Sequence, residues 1–301
     1  MSAELLKKIC LGTAQFGSDY GIANLTGQIA KDAAAGILEY AYTNGIDTLD
    51  TAYAYGSSEE VIGQFIENNL NNFKIISKLS ILNGERIKDT TQIFEQSLAK
   101  LKIKSIYGYL IHHFKDFLEN DNLWSVLIEL KQKQQIEKIG FSIYRTEELK
   151  IILDRKLSCD LLQVPYSIFD RRFEDFFPKL KERGIAIHVR SVFLQGLAFL
   201  DPAALPDQLS KAQDYLRKLR DLSVKSGLSV NALCLNFALL NPDIDKVIIG
   251  VDCLGHLQQS LASIQLAEEV GAIYEQLAEL AIKDQDLILP DKWNSPTKGA
   301  K

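Results

Sequence analysis

The sequence is sparing with the residues that mark metal centres and disulfide frameworks. Its four cysteines, Cys10, Cys159, Cys234 and Cys253, stand singly along 301 residues. None has the paired spacing of a zinc or dithiol motif, so no metal site is expected and a reduced compartment is the simplest setting. Basic blocks are scarce as well. The net charge is −5, and the densest basic run, Lys131 to Lys138, alternates with Gln and Glu. Phosphate backbones need clustered Lys and Arg, so that run reads as a solvated helix face and nucleic acid is not an expected partner. No stretch reaches the roughly 18 apolar residues of a membrane span, and the first residues lack the apolar core of a secretory signal. The expectation is a cytoplasmic protein without a membrane partner. Low-complexity tracts and linker-like stretches are missing too, which predicts one domain over residues 1–293 and a frayed tail over residues 294–301.

What is present is a recurring alternation. With 47% hydrophobic and 24% charged residues, the chain has ample material for one large core. Short apolar runs occur at Ile9–Ala14, Ile46–Ala52, Ile75–Leu79, Ile106–His112, Ile139–Ile143, Leu161–Tyr166, Ile185–Val189 and Val247–Val251. Most are apolar on both faces, as parallel strands covered on both sides should be. Between them lie amphipathic segments: Val61, Ile62, Phe65 and Ile66 share a face, as do Leu123, Val126, Leu127 and Leu130, and Leu149, Ile152 and Leu153. Thr146 with Glu147 and Glu148 reads as an N-cap and acidic first turn, and Gly184 and Gly227 read as helix stops. The stretch from Asp207 to Leu240 is expected as two helices broken around Ser226-Gly227, and Glu268 to Ile282 as one more. Eight strand–helix alternations predict an α/β chain closed into a single (β/α)8 TIM barrel. An open doubly wound sheet is the alternative, disfavoured because the first strand lacks the Gly-rich turn of a dinucleotide-binding βαβ unit.

In a barrel, chemistry belongs at the C-terminal strand ends. Those ends carry Thr13 and Gln15, Asp50 and Tyr55, Lys78, His112 and His113, Ser142 and Tyr144, Gln163 and Tyr166, Arg190 and Ser191, and Gly250 to Asp252. Buried polar groups cost free energy unless paired, so their gathering at one end predicts a shared pocket.

These residues carry a resemblance. Gly45-Ile46-Asp47-Thr48-Leu49-Asp50-Thr51-Ala52, then Tyr55-Gly56 and Ser58-Glu59, resembles the aldo-keto reductase signature around a catalytic Asp and Tyr. Ile76-Ser77-Lys78-Leu79 is similar to the strand with that family's catalytic Lys, and Tyr109-Leu110-Ile111-His112 to the strand with its His. Leu11-Gly12-Thr13, Gly140-Phe141-Ser142, Gln163 with Tyr166, and Leu194 with Gly196 recur in family order, so the resemblance spans roughly residues 8 to 270.

The resemblance implies an NAD(P)H-dependent reductase of aldehydes or ketones. Tyr55 would be the general acid and Lys78 the cation that tunes it. Asp50 would anchor Lys78, and His112 would orient the carbonyl. A free phenol, with a pKa near 10, is a poor donor at neutral pH, so an adjacent ammonium is expected to lower it. A hydrogen-bond donor at the carbonyl oxygen would stabilise developing charge. Without the pattern, Asp50 and Lys78 would read as a structural ion pair and Tyr55 as a rim aromatic. Lys78 as a Schiff-base nucleophile is a rival within enzymes. A low-turnover redox-sensing or regulatory barrel is the rival outside catalysis.

For the cofactor, the resemblance implies contacts from Thr13, Asp50, Ser142, Gln163, Arg190, Ser191, Leu194, Gly196, Gly250, Asp252, His256, Gln259 and Ser260. Several positions depart from the family. Ile143 replaces an Asn beside the nicotinamide, and Arg190 stands where an aromatic often stacks. Arg190 is ranked first for the cofactor pyrophosphate, then an anionic substrate, then a structural carboxylate. NADPH is the cofactor the family suggests, but Gly250 and His256 occupy positions where relatives carry a Lys or Arg for its 2′-phosphate, and Asp252 adds negative charge, so NADH is carried beside it. Gln259 and Ser260 replace a Glu-Asn pair at adenine, and Cys253 is expected to pack. The short segment before the first strand leaves little room for the family's β-hairpin at the barrel bottom, and the loop after His113 and the stretch Leu289–Trp293 are compact. An open site for a small polar, sugar-like or anionic carbonyl is therefore expected, with His113, Arg145 and Tyr166 touching substrate. Arg145, Arg171, Arg172 and Arg190 near the mouth would suit a phosphate or carboxylate on substrate, with Arg171 and Arg172 read equally as helix-start residues paired with Glu174 or Asp175, and His188 is expected as a satisfied barrel residue. The oligomeric state is left open.

Overall fold

Eight parallel strands close on themselves in the computed structural model, in the order β1 to β8, with β8 returning to β1. The structure describes residues 2–24, 26–69, 72–81, 90–120 and 122–293, so the tail expected at 294–301 lies outside the described residues. The strands are β1 (Ile9–Gly12), β2 (Thr48–Asp50), β3 (Lys74–Leu79), β4 (Ile106–Ile111), β5 (Ile136–Ser142), β6 (Leu161–Pro165), β7 (Ala186–Arg190) and β8 (Lys246–Gly250). Each overlaps one of the eight apolar runs. Closure removes both sheet edges, which explains how such short strands satisfy their backbone groups.

Side-chain alternation decides where the chemistry goes. Ile76, Leu110 and Leu161, from β3, β4 and β6, form a small apolar cluster separate from the large core shared by strands and helices. Successive strand residues point to opposite faces, so residues two further on share the inner side. Two residues beyond those three lie Lys78, His112 and Gln163. Asp50 enters the same layer by register, opposite Ile76 on β3 and Gly12 on β1. The inner wall thus changes from apolar to polar at the C-terminal ends.

Helices Ser58–Asn68, Asn122–Gln132 and Thr146–Asp154 place the expected apolar faces on the barrel. Gly227 ends helix Gln213–Ser226 in the left-handed region at φ 71°, and helix Val230–Leu240 follows, as the Ser226-Gly227 break predicts. Two helix expectations need correction. The N-cap before Ile151 is Arg145, not Thr146, because Glu148 reaches back to accept the N–H groups of Tyr144 (2.7 Å) and Arg145 (2.9 Å). The single helix expected from Glu268 to Ile282 is two short ones, Ala267–Gly271 and Tyr274–Ala278. Gly271 is a poor helix former, and Tyr274 beyond it is held by stacking on Phe237 at 4.6 Å. A short helix, Ser2–Lys7, precedes β1. Among the described residues no single helix is long and apolar enough to cross a membrane.

Candidate active site

Lys78 is the centre of the polar layer and is completely buried. Its ammonium donates to Asp50 Oδ1 at 2.6 Å and to the Thr51 carbonyl at 2.9 Å, and it stands 3.5 Å from the Tyr55 hydroxyl. Three acceptors thus surround its three N–H groups. Asp50 is held from its other side, where Gln163 Nε2 donates to Oδ2 at 2.7 Å. Ser142 Oγ in turn donates to Gln163 Oε1 at 3.4 Å. Removing either buried charge would strand the other at a cost of about 3–5 kcal/mol.

Tyr55 follows β2 on a turn closed by Gly56, and its ring is half-buried with the hydroxyl directed at Lys78. The expected tuning runs the other way. Burial, then the Asp50 carboxylate and Tyr144, raise the Tyr55 pKa above that of a free phenol, with Arg190 opposing them. The Lys78 charge is spent largely on Asp50, at 2.6 Å against 3.5 Å for Tyr55. Tyr55 is therefore a neutral phenol at neutral pH, the protonated form a general acid requires.

His112 sits edge-on to Tyr55, ring centroids 5.6 Å apart, and His113 stacks on it at 4.4 Å. Burial first, then the charges of Lys78, His113 and Arg190, hold the His112 pKa well below the ordinary imidazole value. It is a neutral ring. Its Nδ1 lies 2.6 Å from Ser80 Oγ, so a hydroxyl donating there leaves the proton on Nε2.

A cavity of about 530 Å³ opens from Asp50 and Tyr55 and passes Thr13, Gly250 and Asp252 to Asn231, Gln259 and Ser260. Arg190, Ser191, Gly196 and His256 also line it, so ten of the residues expected at a cofactor are on its wall. Ser142 and Gln163 lie beneath it, bracing Asp50 instead. Leu194 is absent from the wall because its side chain is buried in the core. Arg190 lies flat on Tyr144, guanidinium to ring centroid 3.8 Å, and donates to the Ile143 carbonyl at 3.0 Å. Among the described residues no carboxylate pairs with it.

The substrate-side expectations fare unevenly. His113 is exposed at the mouth. Arg145 is tied to Asp291 at 2.8 Å, off the cavity wall. Tyr166 faces outward: it stacks on Phe237, and its hydroxyl donates to Glu174 at 2.6 Å and accepts from Asn241 at 3.2 Å. It follows the last residue of β6 and turns into the helical layer, so it does not meet the cavity. Arg171 pairs with Glu174 as weighed, but Arg172 pairs with Asp170 at 2.7 Å, not with Glu174 or Asp175. His188 is buried, and among the described residues its Nδ1 has no hydrogen-bond partner. Cys253 is exposed, not packed, because it caps the start of helix Leu254–Ser263 at the surface.

Nothing in the residue pattern signals the cover. Residues 20–24, after β1, reach residues 193–200, after β7, across the cavity. Ile22 N–H donates to the Gln195 carbonyl at 3.0 Å, and a Cβ at Gly196 would come within 2.6 Å of Ala23 Cβ. The expected open site is therefore bridged along its cofactor side. Tyr20, on this cover, lines the cavity with Tyr55 and Arg190.

The comparisons with known proteins agree with this geometry. The chain is 27% identical to the oxidoreductase YqkF of Bacillus subtilis (strain 168) over 282 residues, covering 85% of this chain and 90% of that one. It is 23% identical to L-galactose dehydrogenase of Arabidopsis thaliana, covering 86% of each. The holo form of aldo-keto reductase AKR11C1 from Bacillus halodurans superposes with a TM-score of 0.73 at 22% identity, covering 93% of this chain and 95% of that one. The model of the Aldo/keto reductase family matches residues 8–279, and with the barrel and its polar layer in place the chain belongs to that family.

Proposed function

We propose that the protein is a cytoplasmic NAD(P)H-dependent reductase of small aldehydes or ketones, with Tyr55 as the general acid. The observation that carries this reading is the Asp50–Lys78–Tyr55 chain beside neutral His112, at the inner end of a cavity sized for a cofactor. That volume falls within the range of pockets that enclose cofactors. Its wall offers amide, hydroxyl and backbone groups, and Gly12 and Gly250 keep side chains out where β1 and β8 meet it, so the residues fit a nicotinamide dinucleotide. When bound, such a dinucleotide supplies the hydride that reduces the carbonyl carbon.

The chain's residues do the rest. His112 donates its Nε2 proton as a hydrogen bond to the carbonyl oxygen and turns the carbonyl towards Tyr55. Tyr55 passes its proton to that oxygen, completing the alcohol. The phenolate left behind is stabilised by the Lys78 ammonium and regains a proton from solvent. Asp50, braced by Gln163, keeps Lys78 from moving off. His113 meets substrate at the mouth. Arg145, Arg171 and Arg172 are already matched by carboxylates, and Arg190 is held on Tyr144 and the Ile143 carbonyl, so a neutral polar or sugar-like carbonyl fits better than a phosphorylated one. The sugar in the name of the Arabidopsis relative accords with that choice.

Cofactor oxidation should be followed with a panel of aldehydes and sugars. Turnover should appear and fall roughly 100-fold or more in Tyr55→Phe, the usual weight of a general acid. Tight dinucleotide binding with no turnover on any carbonyl would favour a redox-sensing barrel instead.

A further inference from the structure

The end of the cavity away from Tyr55 bears on which dinucleotide the site takes. NADPH differs from NADH by a 2′-phosphate, which carries close to two negative charges at neutral pH. Proteins hold such groups with Arg or Lys, whose charged N–H groups match the phosphate oxygens.

Beyond Gly250 the wall is made by Asp252, His256, Gln259, Ser260 and Asn231. None is Lys or Arg. The guanidinium that does line the cavity, Arg190, is stacked on Tyr144 and tied to Ile143 beside the reacting end. His256 Nδ1 lies 3.8 Å from Asp252 Oδ2, so any positive charge on this imidazole is already matched. Apart from His256, the Asp252 carboxylate receives, among the described residues, one long hydrogen bond from Gln15 Nε2, 3.5 Å, and keeps acceptor capacity towards the cavity. Asn231 and Ser260 spend part of theirs on each other, Nδ2 to Oγ 3.2 Å.

We infer that this end of the cavity selects NADH over NADPH, with Asp252 accepting the ribose hydroxyls and repelling a 2′-phosphate. A carboxylate at the ribose is the general device by which dinucleotide-binding folds take the unphosphorylated form. Here the same chemistry is reached from the loop after β8. The inference rests on the reductase reading and adds cofactor choice to it.

The test is equilibrium titration of the full chain with NADH and with NADPH, without a carbonyl, followed by protein fluorescence or calorimetry. NADH should bind at least tenfold more tightly. In Asp252→Ser the ratio should narrow fivefold or more, chiefly through tighter NADPH binding. Equal or tighter NADPH binding by the unaltered protein, or a ratio unchanged in Asp252→Ser, would overturn the inference and leave the reductase reading standing. Failure of both dinucleotides to bind would sink the reductase reading and the inference together. The titration of the unaltered protein decides the matter even if the variant does not fold.

Discussion

The Ser80 hydroxyl, 2.6 Å from His112 Nδ1, is a small group with a large effect on the site. If it donates to Nδ1, it fixes the tautomer whose Nε2–H points at the substrate oxygen; without it, both tautomers are open to the ring. One net hydrogen bond is worth about 0.5–1.5 kcal/mol, and 1.4 kcal/mol is tenfold in rate. Ser80→Ala should therefore lower kcat about tenfold while leaving the dinucleotide Kd unchanged, and Ser80→Thr should restore most of the loss. Equal loss in both kcat and dinucleotide affinity would mark Ser80 as structural only. Lys78 and the three residues around it were legible because Asp50, Lys78 and His112 interrupt apolar runs at inward-facing positions and Tyr55 follows at a fixed distance. Ser80 and Tyr20 were not, because they lie on loops with no periodicity to say which way they face. The direction of the Tyr55 shift was missed for a related reason. A sequence shows that Lys78 is near, but not that Asp50 takes most of its charge while burial acts on the phenol.

Helices show the same division between pattern and contact. Gly63 lies inside helix Ser58–Asn68, where propensity alone favours Ala over Gly by about 1 kcal/mol. The structure reverses that preference. A Cβ at Gly63 would stand 2.0 Å from the Lys100 carbonyl, on helix Thr90–Leu101, and 3.0 Å from Leu101 Cα. These are backbone atoms, so the two helices must separate to admit a methyl group, opening the packing of Phe65 and Phe94. Overpacking of this kind costs about 1–3 kcal/mol. Gly63→Ala should thus lower the urea midpoint, and an increase would show that the helices yield freely. The apolar stripe of Val61, Ile62 and Phe65 made this helix legible, but nothing in the stripe reveals how close its neighbour comes. Thr146 failed as an N-cap for a comparable reason: Glu148 supplies the end of that helix with acceptors from inside it.

At the scale of the whole barrel, eight apolar runs were enough to read the architecture, because parallel strands covered on both faces admit few other arrangements. What the inside of the barrel does to a titratable group required the structure. His188, on β7, is buried with no partner for Nδ1 among the described residues, and burial first, then Lys246 and Lys181, push its pKa down to about 3. An imidazole in the unfolded chain titrates near 6.5. Between those values the unfolded chain binds the extra proton, so stability is full above about pH 6.5 and is lost as pH falls through the window towards 3. His112, also held neutral by burial, acts in the same direction. By pH 5 the His188 contribution alone should amount to about 2 kcal/mol, at roughly 1.4 kcal/mol per pH unit below 6.5. Carboxylates titrate lower and are common to wild type and variant, so the comparison that isolates His188 is the stability difference between pH 7.5 and pH 5, by urea denaturation, in the protein and in His188→Leu. That difference should shrink by about 2 kcal/mol in the variant, whatever the variant's absolute stability. An unchanged difference would mean that His188 gains its proton inside the barrel as easily as in water, against the effect of burial beside the Lys246 and Lys181 charges.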